Sequence, residues 1–338
     1  AKLQVTLTSA GIDRLIKPAT ENLHAYDEYL RGMALMHRRG IAILEAIESF
    51  GRAIALDANY AHALAGLAHA QVLACFWGIV NPRDVRTSAL DAASRALAAG
   101  PEFVEAHVAA AMVAIGVEFD RTKAMRAWDR AIELGPTDVN ARANRAVFHL
   151  CYVCGAFEES ERELRVALAG DPLNATLQSQ LAMVLAFDAR AAEAVAQAHR
   201  AIALDPAAFF GQWVVILALL VGQAYDEVIA TGTAITRKFG RHGWVLLGLA
   251  AAYAALGHVE EATAIFDELL ARSRTEYVQP AVLAMIAMEL GRRDDALRRW
   301  TQAAADRDMM MVAMLLHAPI SAKLRAHVSN RGALRHGK

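Results

Sequence analysis

Ala131-Ile132-Glu133-Leu134-Gly135-Pro136 is a phrase that this chain repeats. Close versions stand at Ala53-Ile54-Ala55-Leu56-Asp57-Ala58, Ala96-Leu97-Ala98-Ala99-Gly100-Pro101, Ala167-Leu168-Ala169-Gly170-Asp171-Pro172 and Ala201-Ile202-Ala203-Leu204-Asp205-Pro206. Successive copies begin 43, 35, 36 and 34 residues apart. A second echo continues where the first fades: Gly222-Gln223-Ala224-Tyr225-Asp226-Glu227, Gly257-His258-Val259-Glu260-Glu261-Ala262 and Gly291-Arg292-Arg293-Asp294-Asp295-Ala296, with an earlier relative at Gly155. A fixed period near 34 residues marks a protein of stacked repeats.

Each copy reads as the end of a helix and the turn after it. Alanine lets a neighbouring helix approach, and the Ile or Leu beside it fills the gap. Gly or Asp followed by Pro ends the helix, because proline cannot continue one and restricts the residue before it. The second echo reads as the turn between two helices. It places acidic residues in the first turn of the next helix, where the helix dipole favours them.

With these residues in hand, the chain resembles the tetratricopeptide repeat family, whose unit is a helix-turn-helix of about 34 residues. The clearest unit runs from Gly243 to Arg274, with Leu246, Leu249, Ala250, Tyr253, Gly257, Ala262 and Phe266 at family positions. The resemblance implies an all-α, right-handed α-α superhelix of about eight helix pairs plus a C-terminal cap. Thr20, Asn22, Ala25, Tyr26, Tyr29, Leu30, Arg31 and Gly32 further resemble the opening of the repeat domain at the C-terminus of certain bacterial multidomain regulators. Those carry a class III adenylate cyclase, winged-helix or kinase domain, then a TolB-like segment, then repeats. None of their catalytic or DNA-binding parts stands in this chain, so those activities do not carry over.

Composition agrees with a helical repeat protein. The 338 residues hold 35 Lys and Arg against 36 Asp and Glu, a balance with no global field for nucleic acid or an acidic membrane. Three cysteines give no disulfide framework, so a reducing, cytoplasmic setting is expected. Nothing at the start reads as a secretory signal. Mean hydropathy is +0.24, raised largely by alanine. The most apolar run, 207–221, contains Gln212 and falls short of the roughly 20 residues a membrane helix needs; it reads as a buried helix.

In order, residues 1–19 read as a linker or the remnant of an upstream domain, with strand-like alternation from Leu3 to Thr8. Residues 20–306 are the repeat array. Its pairs are expected at 21–38 with 41–56, 60–78 with 84–99, 102–118 with 120–134, 138–153 with 156–169, 174–187 with 190–204, 208–221 with 224–238, 243–256 with 259–272, and 278–290 with 293–306. An insertion from Phe76 to Arg83 explains the 43-residue step, as a simple loop or as the shaped edge of a site. Residues 307–338 are expected to hold a capping helix and, from Arg325 to Lys338, a basic, frayed tail. The Met-rich run 309–316 would cover the last apolar face or serve as a dimer or partner surface.

The chemistry-bearing candidates are few. Cys151-x-x-Cys154 lacks the further ligands of a zinc site and the setting of a redox pair. At 100° per residue both cysteines share the packed face with Ala143, Val147 and Leu150. Arg142, Arg145, His149 and Tyr152, spaced 3, 4 and 3, form one polar stripe. In the family the first helix of each pair lines the concave surface, which adds His62, His69, Thr176, Ser179 and Gln212, with Glu28, Arg31 and Arg38 in the first pair. Arg would pair with carboxylates while Tyr and His add flat apolar area, so an acidic peptide is the natural guest; the alternative is a solvated face with no dedicated ligand. The carboxylate clamp of some family members is not clearly matched, since only Asn144 beside Arg145 resembles it.

No phosphate loop, His-Glu-x-x-His or Gly-x-Ser-x-Gly is present, so no catalytic residue, cofactor or metal is expected. The inner groove lacks the aromatic and basic interleaving that single-stranded nucleic acid needs. The function read from sequence is a non-catalytic protein–protein interaction scaffold that binds a partner peptide, or its own upstream domain, in the concave groove. The alternative is a regulatory or dimerisation module, possibly a homodimer, of a larger signalling protein such as an adenylate cyclase or transcriptional regulator.

Overall fold

The computed structural model describes residues 20–38, 40–314, 317 and 319–330. The strand-like stretch from Leu3 to Thr8 lies outside them. Among the described residues, eight helix pairs follow one another: α1 Leu23–Arg38 with α2 Ala42–Leu56, α3 Ala61–Phe76 with α4 Pro82–Ala99, α5 Val104–Val113 with α6 Arg121–Leu134, and α7 Val139–Asn144 with α8 Phe157–Gly170. Then come α9 Ala175–Phe187 with α10 Ala191–Leu204, α11 Phe209–Val221 with α12 Tyr225–Phe239, α13 Gly243–Ala255 with α14 Val259–Arg272, and α15 Pro280–Glu289 with α16 Arg293–Asp306. α17 Met309–Met314, a short turn at Pro319–Ser321 and α18 Ala322–Asn330 end the described chain. No strand occurs among the described residues, and the fold is an all-α repeat solenoid.

The recurring phrase is visible as one recurring helix end. The N–H groups of Asp57, Gly100, Gly135, Asp171 and Asp205 donate to the carbonyls of Ala53, Ala96, Ala131, Ala167 and Ala201. Those five alanines are buried, so a larger side chain would push neighbouring helices apart. The turn between helices needs one left-handed residue. Gly257 supplies it at φ 84° in the seventh pair, and in the sixth Gln223 takes it at φ 58°.

Two first helices widen before they end. α5 runs into a π-helical stretch at Ala114–Glu118, and α7 into a longer one at Arg145–Cys154. A π-helix closes i to i+5 bonds and turns each residue through a smaller angle than an α-helix. The stripe counted at 100° per residue therefore does not hold beyond Arg145. Cys151 is buried but Cys154 is exposed, so the two cysteines do not share the packed face.

The array also closes on itself. Phe76 and Trp77, at the insertion, reach from the second pair to the sixth and seventh. Trp77 stacks on Trp244 at 4.8 Å and meets Phe209 at 5.7 Å and Phe210 at 5.4 Å. His242 Nε2 lies 3.1 Å from the Trp77 carbonyl. Gln279 donates to the Phe76 carbonyl at 3.3 Å and to Asp308 at 3.0 Å, while the Ala281 N–H donates to Asp308 at 2.9 Å. Arg83 pairs with Asp306 at 2.8 Å, and Arg307 donates to the carbonyls of Val117 and Glu118. The insertion is thus a clasp and not a simple loop.

α17 completes the clasp. Met309 sits over Gly116 and Val72, so close that a Cβ on Gly116 would meet its sulfur at 2.8 Å. Met310 lies with Trp213, Trp244 and Gly248 on the opposite side. These methionines fill the interior between the two arms of the superhelix, and their helix also touches α15 of the last pair. The last pair is further covered by α18, which packs on α15 and α16 with Leu324 and Val328 buried. Arg325 to Asn330 are accordingly helical, and the rest of the expected tail, 331–338, lies outside the described residues.

Candidate functional site

The concave surface is divided by the clasp. Its C-terminal half, formed by α11, α13 and α15, is partly covered by Pro319 and α18, where Lys323 pairs with Glu289. Its N-terminal half is open. There α1, α3, α5 and α7 enclose a cleft of about 670 Å³. Its floor is apolar: Met33 and Met36 from α1, Ala65 from α3, Val104 and Val108 from α5. Its polar lining comes from His62 and His69 on α3, Glu105 on α5, and Asp138, Asn140 and Asn144 at α7.

These side chains are held from behind. The His62 ring lies 4.5 Å from Phe103 and 6.0 Å from both Tyr29 and Tyr60. Burial pushes its pKa down, opposed by Glu105, whose carboxylate is 3.9 Å from His62 Nε2. His62 Nδ1 is enclosed without a hydrogen-bond partner. Asp138 accepts from the Ala141 N–H at 2.7 Å and so starts α7. Asn144 donates to the Asn140 carbonyl at 2.8 Å, leaving its own Oδ1 enclosed without a partner. Buried polar groups are nearly always hydrogen-bonded, so these two atoms are unmet demands at the cleft wall.

The sequence-predicted residues are not brought together in one site. His62 and His69 line the cleft. Arg142 and Arg145 turn to α8 of their own pair, where Arg142 pairs with Glu163 and donates to the Pro136 carbonyl, and Arg145 lies 3.9 Å from Glu159. The charges that an acidic guest would use there are already balanced, although the Arg145 Nε is enclosed without a hydrogen-bond partner. His149, Tyr152 and Ser179 are buried: His149 is 8% exposed, with burial and then Arg145 lowering its pKa. Tyr152 is 1% exposed, packs on Phe76 and Phe187, and donates to Met183 Sδ at 2.8 Å. Ser179 donates to the Ala175 carbonyl. Gln212 is half-buried on α11, across the clasp. Glu28 pairs with Arg52, and Arg38 lines a separate opening beside Ile41, Phe209 and Arg272.

Met33, Met36, Glu105 and Asn140 line the cleft without being among the residues expected from sequence, and Asn144 is expected there only as a partial match to the clamp. The available signal was position: Asn140 and Asn144 are one helical turn apart on a first helix, and Glu105 sits in the first turn of the preceding one. Among the described residues, no three His, Cys, Asp or Glu side chains are grouped to hold a metal ion, and no helix is long and apolar enough to cross a membrane. Burial pushes the Cys151 and Cys154 thiols up, away from the thiolate form a redox pair needs.

Stacked helix pairs with an open concave cleft define a helical-repeat protein. The chain belongs to the tetratricopeptide repeat family: the Tetratrico peptide repeat model matches residues 106–207 and 222–311. No curated protein matches it. Among solved structures, PilF of Pseudomonas aeruginosa is 16% identical with a TM-score of 0.43, covering 57% of this chain and 87% of its own. A tetratricopeptide repeat protein of Parabacteroides merdae is 12% identical with a TM-score of 0.48, covering 87% and 100%. YrrB, described as having an unusual peptide-binding site, is 17% identical with a TM-score of 0.33, covering 61% and 97%.

Proposed function

We propose that this chain is a non-catalytic scaffold that holds a segment of a partner protein in the cleft across its first four pairs. One observation carries the reading: this part of the concave surface is open and lined by both apolar and polar side chains, while Trp77, Met309 and Met310 fill the centre and α18 partly covers the C-terminal half. The cleft offers what a docked segment uses. Met33 and Met36 are adaptable apolar surface, and the half-exposed Glu105 presents a carboxylate that a guest can reach. The alternative role, a dimerising or sensing module, drew on the Met-rich run and the insertion, but Met309, Met310, Phe76 and Trp77 are buried within the chain. The proposal includes a reducing compartment such as the cytoplasm, where the exposed Cys154 stays a free thiol.

The test is a phage-displayed peptide selection on the full chain and on Met33→Arg, a half-buried position on the cleft floor. Convergent peptides that lose binding to Met33→Arg, with its thermal melt unchanged, are expected. Peptides that bind both proteins equally, or no convergence, would contradict the reading.

A further inference from the structure

We propose that the segment taken by this cleft is basic: a lysine or arginine whose cationic head meets Glu105, next to a long apolar side chain on the Met33–Val108 floor. This inference rests on the proposed use of the cleft and adds the chemistry of its guest. It also reverses the acidic guest expected from Arg142 and Arg145.

Charge is the first argument. Two carboxylates, Glu105 and Asp138, line the cleft, and no lysine or arginine is among its described lining residues. The Glu105 side chain is 48% exposed, and the neighbour facing it is the His62 imidazole at 3.9 Å. That ring is disfavoured from charging by its burial among Tyr29, Tyr60 and Phe103, so it does not neutralise the carboxylate. The nearest arginines on α7 and its continuation are balanced by Glu163 and Glu159. An acidic guest would meet like charge, and a cationic one opposite charge.

Hydrogen-bonding capacity is the second and independent argument. Asn144 is 6% exposed, and its Nδ2 is used on the Asn140 carbonyl, so the enclosed atom left without a partner is the acceptor Oδ1. It stands beside the Glu105 and Asp138 carboxylates, so the cleft lining is rich in acceptors. Lysine supplies three N–H groups and arginine five, with no acceptor on either head. The methylene stems of both lie comfortably on methionine and valine while the head reaches a carboxylate. Glutamate or aspartate would bring only further acceptors.

The experiment uses the selection described above, repeated on Glu105→Gln and Glu105→Lys. Cleft-dependent peptides, those lost on Met33→Arg, are expected to converge on Lys or Arg beside Leu, Met or Phe. The best of them should bind Glu105→Gln about tenfold more weakly, with a smaller salt dependence than for the native chain. Changing its basic residue to Glu should restore binding to Glu105→Lys. Cleft-dependent peptides that lack a basic residue, that are acidic, or that bind Glu105→Gln unchanged would overturn the inference and leave the cleft reading standing. Finding no peptide lost on Met33→Arg would overturn both. Glu105→Gln keeps side-chain shape at a half-exposed site, so it carries the test if Glu105→Lys fails to fold.

Discussion

At the residue scale, His242 and Asp308 show how the clasp responds to pH. His242 is enclosed by Trp77, Phe209 and Trp244, and burial pushes its pKa down to about 4. A histidine held neutral in this way stabilises the fold above its unfolded pKa of about 6.5; that stability is lost as pH falls toward 4. Asp308 is fully buried, and desolvation raises its pKa to about 6 despite bonds from Ala281, Met310 and Gln279. It acts in the opposite sense, favouring the folded state as pH falls through 6 toward 4. The difference in guanidinium midpoint between His242→Gln and the native chain isolates the first effect. Moving from pH 7 to pH 4, that difference should shift in favour of the variant; a constant difference would show that His242 is not held neutral. Tyr152 gives a second residue-scale prediction. Tyr152→Phe should cost about 1 kcal/mol for the lost buried bond to Met183 and leave peptide affinity unchanged. A loss of affinity at unchanged stability would return Tyr152 to the binding surface.

At the element scale, legibility divided cleanly. The ends of the second helices could be read because an alanine, an apolar neighbour and a Gly or Asp stop are local requirements of a helix terminus. The π-helical turns in α5 and α7 could not. No residue pattern announces their i to i+5 bonds; within the second, the Ala146 carbonyl accepts from the Ser160 hydroxyl of the next helix. The stripe count failed for that reason: the wider turn carried Tyr152 into the core and Cys154 out of it. Nor could sequence show that Glu163 and Glu159, on the next helix, would face Arg142 and Arg145. The insertion had a local signal, the 43-residue step, but its partners His242 and Trp244 lie more than 160 residues away. Trp77→Ala should therefore behave as a core deletion and cost about 3–5 kcal/mol. A change under about 1 kcal/mol in a denaturant titration would return the insertion to the status of a loop.

At the scale of the whole molecule, a helical-repeat array is usually quasi-one-dimensional, each repeat meeting only its neighbours. Here the second to fourth pairs also meet the sixth to eighth through Phe76, Trp77, Arg307, Met309 and Met310. That closure gives the array one shape, fills the centre of its concave surface, and leaves the cleft at His62, Glu105 and Asn144 open. The measurement that tests it most directly is hydrogen–deuterium exchange on the full chain and on Asp308→Ala. Closure predicts that the Gly78 and Ile79 amides, bonded to the Cys75 and Ala74 carbonyls, exchange as slowly as the helix interiors. It predicts that they and Ala281 lose protection together in the variant, while α9 and α10 keep theirs. Fast exchange at 78–79 in the native chain, at the rate of an exposed loop, would contradict the closed array.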